Sequence, residues 1–318
     1  MMIFSLDRDH RALAEAVAAD LDTTVAAHED RRFEDGECKV RPLVDPRGED
    51  AYVFQGLHGT PDESPHDKLV RLLMFVATLR DHGARRVTAV VPYLAYARKD
   101  RRTKPHDPLG LRVVAQLLEA VGAAQVIVLE VHNLAAFENA FRIPTVHVDA
   151  RRALEAAVLP LLDDRPVAVA SPDPGGTKRA QLWRDELEAR LQRPIGFAMV
   201  DKTRSAGLLG GGRLVAGDVE GATVILFDDL IASGETLARA QRALRSAGAR
   251  QVVACAAHGL FVGSAASILA EAGFERVLVT DSVPPLRLPH GHRVPLRIAT
   301  CAPLFSEALR DSHASWAH

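Results

Sequence analysis

Disulfide frameworks, metal knuckles and membrane spans are all missing from this sequence. Its 318 residues hold three cysteines, Cys38, Cys255 and Cys301. They are widely spaced and odd in number, which excludes both a disulfide scaffold and a zinc-binding pattern and fits a reducing cytoplasm. No apolar run approaches the ~18 residues that a spanning helix needs. The segment 1–11 carries charges early, unlike a secretory leader. An excess of one charge is missing too: the net charge of −2 gives no bulk pull toward nucleic acid or a membrane surface. What is present is 47% hydrophobic and 25% charged residues, the composition of a soluble globular protein. The length suits two domains.

Short apolar runs alternate with longer helical patterns. Helices are predicted over 10–21, 67–82, 109–121, 151–162, 178–191, 237–247, 264–272 and 303–309. Strands are predicted over 23–27, 51–57, 86–92, 125–131, 167–171, 223–229, 251–258, 276–280 and 294–298. In the second helix Leu69, Leu72, Leu73, Val76 and Leu79 form one stripe, the period of a helix with one buried face. Repeated strand–helix alternation implies an α/β fold with parallel sheets covered by helices on both faces. The alternation occurs twice, which predicts two similar doubly wound domains over 1–148 and 149–296. The Pro-, Gly- and His-rich stretch 284–295 reads as a loop that returns the last segment, 297–318, to the first domain. Strands 125–131 and 223–229 read as equivalents in the two halves.

Sheets of this kind bind ligands beyond the carboxyl ends of their strands. One strand end stands out. Val224-Ile225-Leu226-Phe227 runs into Asp228-Asp229, then Leu230-Ile231-Ala232-Ser233-Gly234-Glu235-Thr236 and a helix. Unpaired N–H groups at a helix start hold phosphate. Ser233 and Thr236 add hydroxyls, and Gly234 lets the backbone come close. The two carboxylates suit sugar hydroxyls or a divalent cation. The stretch therefore reads as a cradle for a phosphorylated sugar.

Other strand ends carry charge. After 86–92 come Arg98, Lys99, Arg101 and Arg102, four cations in five residues. That cluster suits a polyphosphate, or else a solvated basic loop. His132 follows 125–131, as a ligand or as a satisfied histidine at the edge of a core. Asp173 follows 167–171 in a Pro- and Gly-rich turn, as a metal ligand or a helix cap. Lys202 and Arg204 precede the Gly-rich stretch 207–212, which lacks the P-loop spacing and reads as a mobile loop able to bring cations to a developing phosphoryl charge. Phe33, Asp35 and Glu37 lie in what physical chemistry alone reads as a surface turn.

The Asp-Asp loop resembles the ribose-5-phosphate loop of the phosphoribosyltransferase fold. Nine stretches in order resemble the ribose-phosphate pyrophosphokinase family: RRFEDGE (31–37), VPYLAYARKDRR (91–102), EVH (130–132), SPDPGGTKRA (171–180), VDKTR (200–204), FDDLIASGET (227–236), AHGLF (257–261), TDSVP (280–284) and APLFSEAL (302–309). The resemblance implies two phosphoribosyltransferase-type domains and synthesis of 5-phosphoribosyl 1-pyrophosphate and AMP from ATP and ribose 5-phosphate. It implies that Asp228, Asp229, Ser233, Gly234 and Thr236 hold ribose 5-phosphate. His132 and Asp173 are implied to coordinate Mg2+, and Lys202 and Arg204 to stabilise the transition state. Arg98, Lys99, Arg101 and His132 are implied on the ATP side, with Phe33, Asp35 and Glu37 reaching adenine from a neighbouring subunit. A cytoplasmic homo-oligomer built from dimers, up to a hexamer, follows from the same pattern.

The sequence departs from that pattern at several points. Glu130 stands where the family has Asp, Lys99 where it has Gln, Glu235 where it has Gly, Ala232 where it has Asp, and Thr203 inside the loop motif. These mark a divergent branch. Two other readings compete: a catalytically silent relative that regulates a true synthetase, and a phosphoribosyltransferase that consumes the product. The retained Lys202, Arg204, His132 and Asp173 argue against the first. The motifs at 31–37 and 91–102 argue against the second.

Overall fold

A computed structural model describes residues 1–201 and 214–315. The chain divides into two compact units: Met1–Ala150 with Ser282–Pro284 and Thr300–His318, and Arg151–Asp281 with Pro285–Ala299.

The first unit runs β1 (Met2–Ser5), α1 (Arg11–Asp20), β2 (His28–Arg32), β3 (Cys38–Pro42), β4 (Asp50–Phe54), α2 (Pro65–Asp81), β5 (Arg86–Val91), α3 (Gly110–Ala120), β6 (Gln125–Leu129), α4 (Leu134–Ala140) and β7 (Thr145–Val148). Its sheet has the order β1-β4-β5-β6-β7 with every pair parallel. Strands such as QVIVL in β6 are buried throughout, the run expected of a strand covered on both faces. Helix α2 starts in a capping box between Ser64 and Asp67 with Pro65 in its first turn. It buries Leu72, Phe75, Val76 and Leu79 completely.

The second unit runs α5 (Arg151–Val158), β8 (Val167–Ser171), α6 (Thr177–Leu191), β9 (Ile195–Asp201), β10 (Leu214–Ala216), β11 (Thr223–Ile231), α7 (Glu235–Ser246), β12 (Gln251–Gly259), α8 (Ala265–Glu271), β13 (Arg276–Thr280) and β14 (Leu296–Ala299). Its order is β10-β9-β8-β11-β12-β13-β14, parallel except for the edge pair β10–β9. Helix α9 (Ala302–Ser315) belongs to the first unit. There Ser306 Oγ donates to Asp20 Oδ2 at 3.0 Å, and Ser312 reaches Gln125 in β6.

The second sheet changes direction once. The chain steps from β8 outward to β9, then returns to the other side of β8 for β11 and steps on to β14. Right-handed crossovers in opposite directions put α6 and α7 on opposite faces. They open a crevice beyond the carboxyl ends of β8 and β11, where such sheets bind ligands.

The structure redraws two local expectations. Thr23–Ala27 is not a strand; only Val25 bridges, to Ile3. Counted back from β7 and β14, the fourth strands are β4 and β11, and Val25 bridges to the outer side of β1 as β9 pairs with the outer side of β8. The counterpart of the Asp-Asp strand is therefore β4 rather than β6. Acidic residues lie near the carboxyl ends of both β6 and β11, Glu130 just after β6 and Asp228 and Asp229 in the last four residues of β11, but crossovers, not end chemistry, set a strand's place. Among the described residues no helix is long and apolar enough to cross a membrane.

Candidate active site

The crevice of the second unit is built by β8, β11 and the helices that follow them. Val224 to Phe227 are fully buried in the sheet centre. Asp228 and Asp229 follow within the last four residues of β11, which runs on to Ile231. Asp229 is 5% exposed, and Asp228 Oδ1 accepts the Asp229 N–H at 2.9 Å. Arg179, from α6, faces both: its Nη1 lies 3.4 Å from Asp229 Oδ1 and 3.9 Å from Asp228 Oδ1. Burial and the adjacent Asp229 push the Asp228 carboxyl well above the ordinary range, and Arg179 pulls it back. Crowded carboxylates in low dielectric favour holding a proton, and a neighbouring cation resists that.

The loop then turns into α7. Gly234 has φ +79° and caps the helix without a side chain. Ser233 Oγ accepts the Glu235 N–H at 3.5 Å, a distance long enough for an anion to compete for that donor. Gly234, Ser233 and Thr236 thus surround a helix start at the edge of the crevice, a ready place for phosphate. Glu235 is exposed in the first turn.

Asp173 follows β8. Its Oδ1 accepts the N–H groups of Gly175 at 2.9 Å and Gly176 at 3.2 Å. The side chain is a helix cap, and the capping employs one carboxylate oxygen. The other is left for a cation. The unit thus brings Asp173, Arg179, Asp228 and Asp229 to the ends of two neighbouring strands.

In the first unit the basic stretch follows β5. Tyr96 has φ +65°, a left-handed conformation that costs a non-glycine residue energy and tends to persist at functional loops. Its hydroxyl pairs with His66 Nδ1. Arg98, Lys99 and Arg101 are exposed. After β6, Glu130 also takes a positive φ, +42°, and is buried, while His132 is exposed. Asn133 Nδ2 donates to Asp100 Oδ2 at 2.8 Å, and its Oδ1 accepts the Ala136 N–H to cap α4. Asn133 therefore ties the basic loop to the His132 segment. Neither this link nor the Arg179 contact was readable beforehand, because both partners become neighbours only in the fold.

The hairpin β2–β3 carries Phe33, Asp35 and Glu37 at its tip. Phe33 N–H donates to Glu37 O at 2.8 Å, and Asp35 Oδ1 accepts the Glu37 N–H at 3.1 Å. Phe33 stays 38% exposed with the Arg31 guanidinium 4.9 Å from its ring centre, so the tip presents a flat apolar face to whatever approaches. Lys202 and Arg204 lie outside the described residues.

For a divalent cation, Asp173 offers its uncapped oxygen and His132 an exposed ring. One is in the second unit and the other in the first. Among the described residues one compact group has metal-ligand composition: Asp7, His10 and His58. The Lys68 ammonium sits in it, 2.8 Å from Asp7 Oδ2 and 3.3 Å from His58 Nε2, and supplies the positive charge there.

A doubly wound sheet with an Asp-Asp pair and a small-residue loop at its switch point defines a phosphoribosyltransferase-type domain. Residues 1–122 match the N-terminal domain of ribose phosphate pyrophosphokinase, and 212–315 match the phosphoribosyl synthetase-associated domain. The chain is 36% identical over 304 residues to a ribose-phosphate pyrophosphokinase of Prochlorococcus marinus, covering 95% of this chain and 87% of that one. It is 33% identical over 313 residues to the enzyme of that name from Mycobacterium leprae, covering 98% and 91%. The crystal structure of phosphoribosylpyrophosphate synthetase from Mycobacterium smegmatis superposes with a TM-score of 0.86 at 34% identity, with 99% of each chain covered. The chain belongs to the ribose-phosphate pyrophosphokinase family, and its activity is diphosphate transfer from ATP to ribose 5-phosphate.

Proposed function

We propose that the second unit holds ribose 5-phosphate as acceptor and the first unit holds ATP as donor. The observation that carries this reading is the crevice at β8 and β11, where one strand end offers an acid pair and a phosphate-sized helix start. Phosphate sits on the N–H groups and hydroxyls of Ser233, Gly234 and Thr236. Asp228 and Asp229 accept the ribose hydroxyls and fix the ring. Arg98, Lys99 and Arg101 grip ATP phosphates, and Phe33, Asp35 and Glu37 contact adenine from a neighbouring copy in a dimer-based homo-oligomer.

The anomeric hydroxyl oxygen attacks the β-phosphorus. The new O–P bond forms as the bond from that phosphorus to the α–β bridging oxygen breaks. AMP leaves with the bridging oxygen, and the hydroxyl proton is released. Little covalent work is asked of the protein, so positioning and charge neutralisation dominate. His132 and Asp173 would hold magnesium, which when bound neutralises charge on the ATP phosphate oxygens. Lys202 and Arg204 meet the charge that grows in the transition state. Three widely spaced cysteines suit a cytoplasmic setting.

The test is an assay of purified protein with ATP, Mg2+ and ribose 5-phosphate. AMP is expected to form in step with the sugar pyrophosphate. AMP no higher than in a control lacking the sugar, with both ligands still bound, would instead make this chain a silent relative. Lys202→Ala is expected to lower kcat with ribose 5-phosphate binding kept. Loss of sugar binding alone would remove Lys202 from the transition state.

A further inference from the structure

We propose that Arg239 is a positioning residue for the sugar phosphate, acting through Thr236. The proposal rests on the reading of Thr236 as a phosphate ligand and names a group that helps it work.

The geometry follows from the helix. Side chains on α7 lean toward its N-terminus, so a residue lies over the turn that precedes it. Arg239 stands three residues after Thr236 and four after Glu235, on the same face as both. Its Nη2 donates to Thr236 Oγ1 at 3.3 Å. The Arg239 side chain is half-buried and lines one open cleft of about 460 Å³ together with Glu235, Arg242 and Ile268. The guanidinium is therefore held at the phosphate end of the helix rather than out in solvent.

Two consequences follow. A hydroxyl has one proton and two lone pairs. With a lone pair of Thr236 taken by a guanidinium N–H, its proton is free to turn to a phosphate oxygen. The second consequence is charge. Glu235 suits the helix start but repels a phosphate dianion. Arg239, one turn on, offsets that carboxylate. The acidic residue in the phosphate loop and the arginine after it then work as a pair, with the arginine keeping the loop attractive to an anion.

The experiment measures ribose 5-phosphate affinity by titration calorimetry without ATP, and kcat and KM with ATP. It uses the full chain and Arg239→Met, Arg239→Lys, Thr236→Val and the double variant Thr236→Val/Arg239→Met. Arg239→Met is expected to weaken ribose 5-phosphate about tenfold, the effect of losing a charge-assisted hydrogen bond. The KM for ATP and kcat are expected to stay within about twofold, the mark of a binding role. Arg239→Lys keeps the charge without the planar fork and is expected to fall between. In the Thr236→Val background the Arg239→Met effect shrinks to about threefold or less, because neighbouring groups in one network are not additive.

Unchanged affinity in Arg239→Met, with Thr236→Val weakened, overturns the inference and leaves the phosphate loop standing. Unchanged affinity in Thr236→Val overturns the phosphate loop itself, and the inference with it. An undiminished Arg239→Met effect in the Thr236→Val background overturns the action through Thr236. A fall in kcat equal to the fall in kcat/KM, at unchanged affinity, moves Arg239 out of the binding site and also overturns the proposal.

Discussion

Arg179 Nη1 lies 3.4 Å from Asp229 Oδ1 and 3.9 Å from Asp228 Oδ1, one cation against two adjacent acids. Burial and Asp229 raise the Asp228 pKa, and Arg179 opposes them. Below that raised value Asp228 is neutral; above it, the carboxylate accepts hydroxyl protons. Ribose 5-phosphate binding should therefore strengthen as pH rises through it. Arg179→Gln removes the opposing cation, so the limb should move to higher pH. Asp228→Asn should lack the limb and separates it from titration of the substrate's own phosphate. Affinity measured across pH for the three proteins is the check, and an unmoved midpoint in Arg179→Gln would remove Arg179 from this role.

Gly234 adopts φ +79°, and a Cβ there would lie 2.9 Å from Leu269 Cδ2. The contact is with the end of a flexible side chain, so it relaxes cheaply. The left-handed backbone does not relax, because the loop fixes it. Gly234→Ala should cost about 1–2 kcal/mol from the backbone alone, read as a lower urea midpoint with unchanged slope. Adding Leu269→Ala should not restore that loss. The affinity for ribose 5-phosphate should fall as well, since a shifted loop misplaces the helix start.

Much of the second unit was legible, because its chemistry is local in sequence. Asp228 to Thr236 sit on one strand–loop–helix, and a buried run before two acids announces a strand end. The same holds for the basic stretch after β5. The hairpin β2–β3 was not legible. HEDRR has no apolar residue to mark a buried face, and CKVRP alternates about a single buried residue, Val40, over only five positions, too little to set either apart from a loop. MIFS and TVHV, four residues each, are too short for a period. Thr23–Ala27 read as a strand because Thr and Val favour one, yet Val25 alone pairs. Arg179 stood inside a recognised motif, but its partners lie 49 and 50 residues away and no spacing announces them. Glu235 was visible as an oddity, and its neighbour Arg239 became meaningful only through the contact with Thr236.

Asn133 does two jobs with one amide, donating to Asp100 and capping α4. Two variants separate them. Asn133→Ala loses both, so stability should fall by about 1 kcal/mol for the cap and the KM for ATP should rise about threefold or more as the basic loop loosens. Asn133→Asp keeps a good cap but sets a carboxylate against Asp100. Its stability should stay closer to the parent while its KM for ATP rises at least as far. Equal KM values for all three proteins would make the Asp100 contact irrelevant to ATP.

Lys68 is fully buried and bridges Asp7 at 2.8 Å and Asp9 at 3.1 Å. His10 joins Asp7 at 3.2 Å and reaches the Ser282 carbonyl at 2.7 Å, so the cluster anchors a late loop of the chain to the first unit. Burial pushes the Asp7 carboxyl up, but His10 and Lys68 together hold it far below the ordinary range. A depressed carboxyl stabilises the fold above its unfolded value of 3.8, and that stability is lost as pH falls further. His58 works the other way: burial lowers its pKa from 6.5, so acidification below that value favours the unfolded chain, where the ring can charge. Two acid-side losses follow, one beginning near pH 6.5 from His58 and one near pH 4 from Asp7. Lys68→Met strands a buried carboxylate and should cost about 3 kcal/mol at neutral pH. It should also flatten the lower limb, because Asp7 without Lys68 titrates closer to its unfolded value. His58→Gln should shrink the upper limb, leaving the share of His28, whose pKa burial also lowers, and should weaken the lower limb as well, because the hydrogen bond from His58 holds the Asp9 carboxyl down. Urea unfolding at a series of pH values resolves both, and a Lys68→Met protein as stable as the parent at neutral pH would show that His10 alone carries the Asp7 charge.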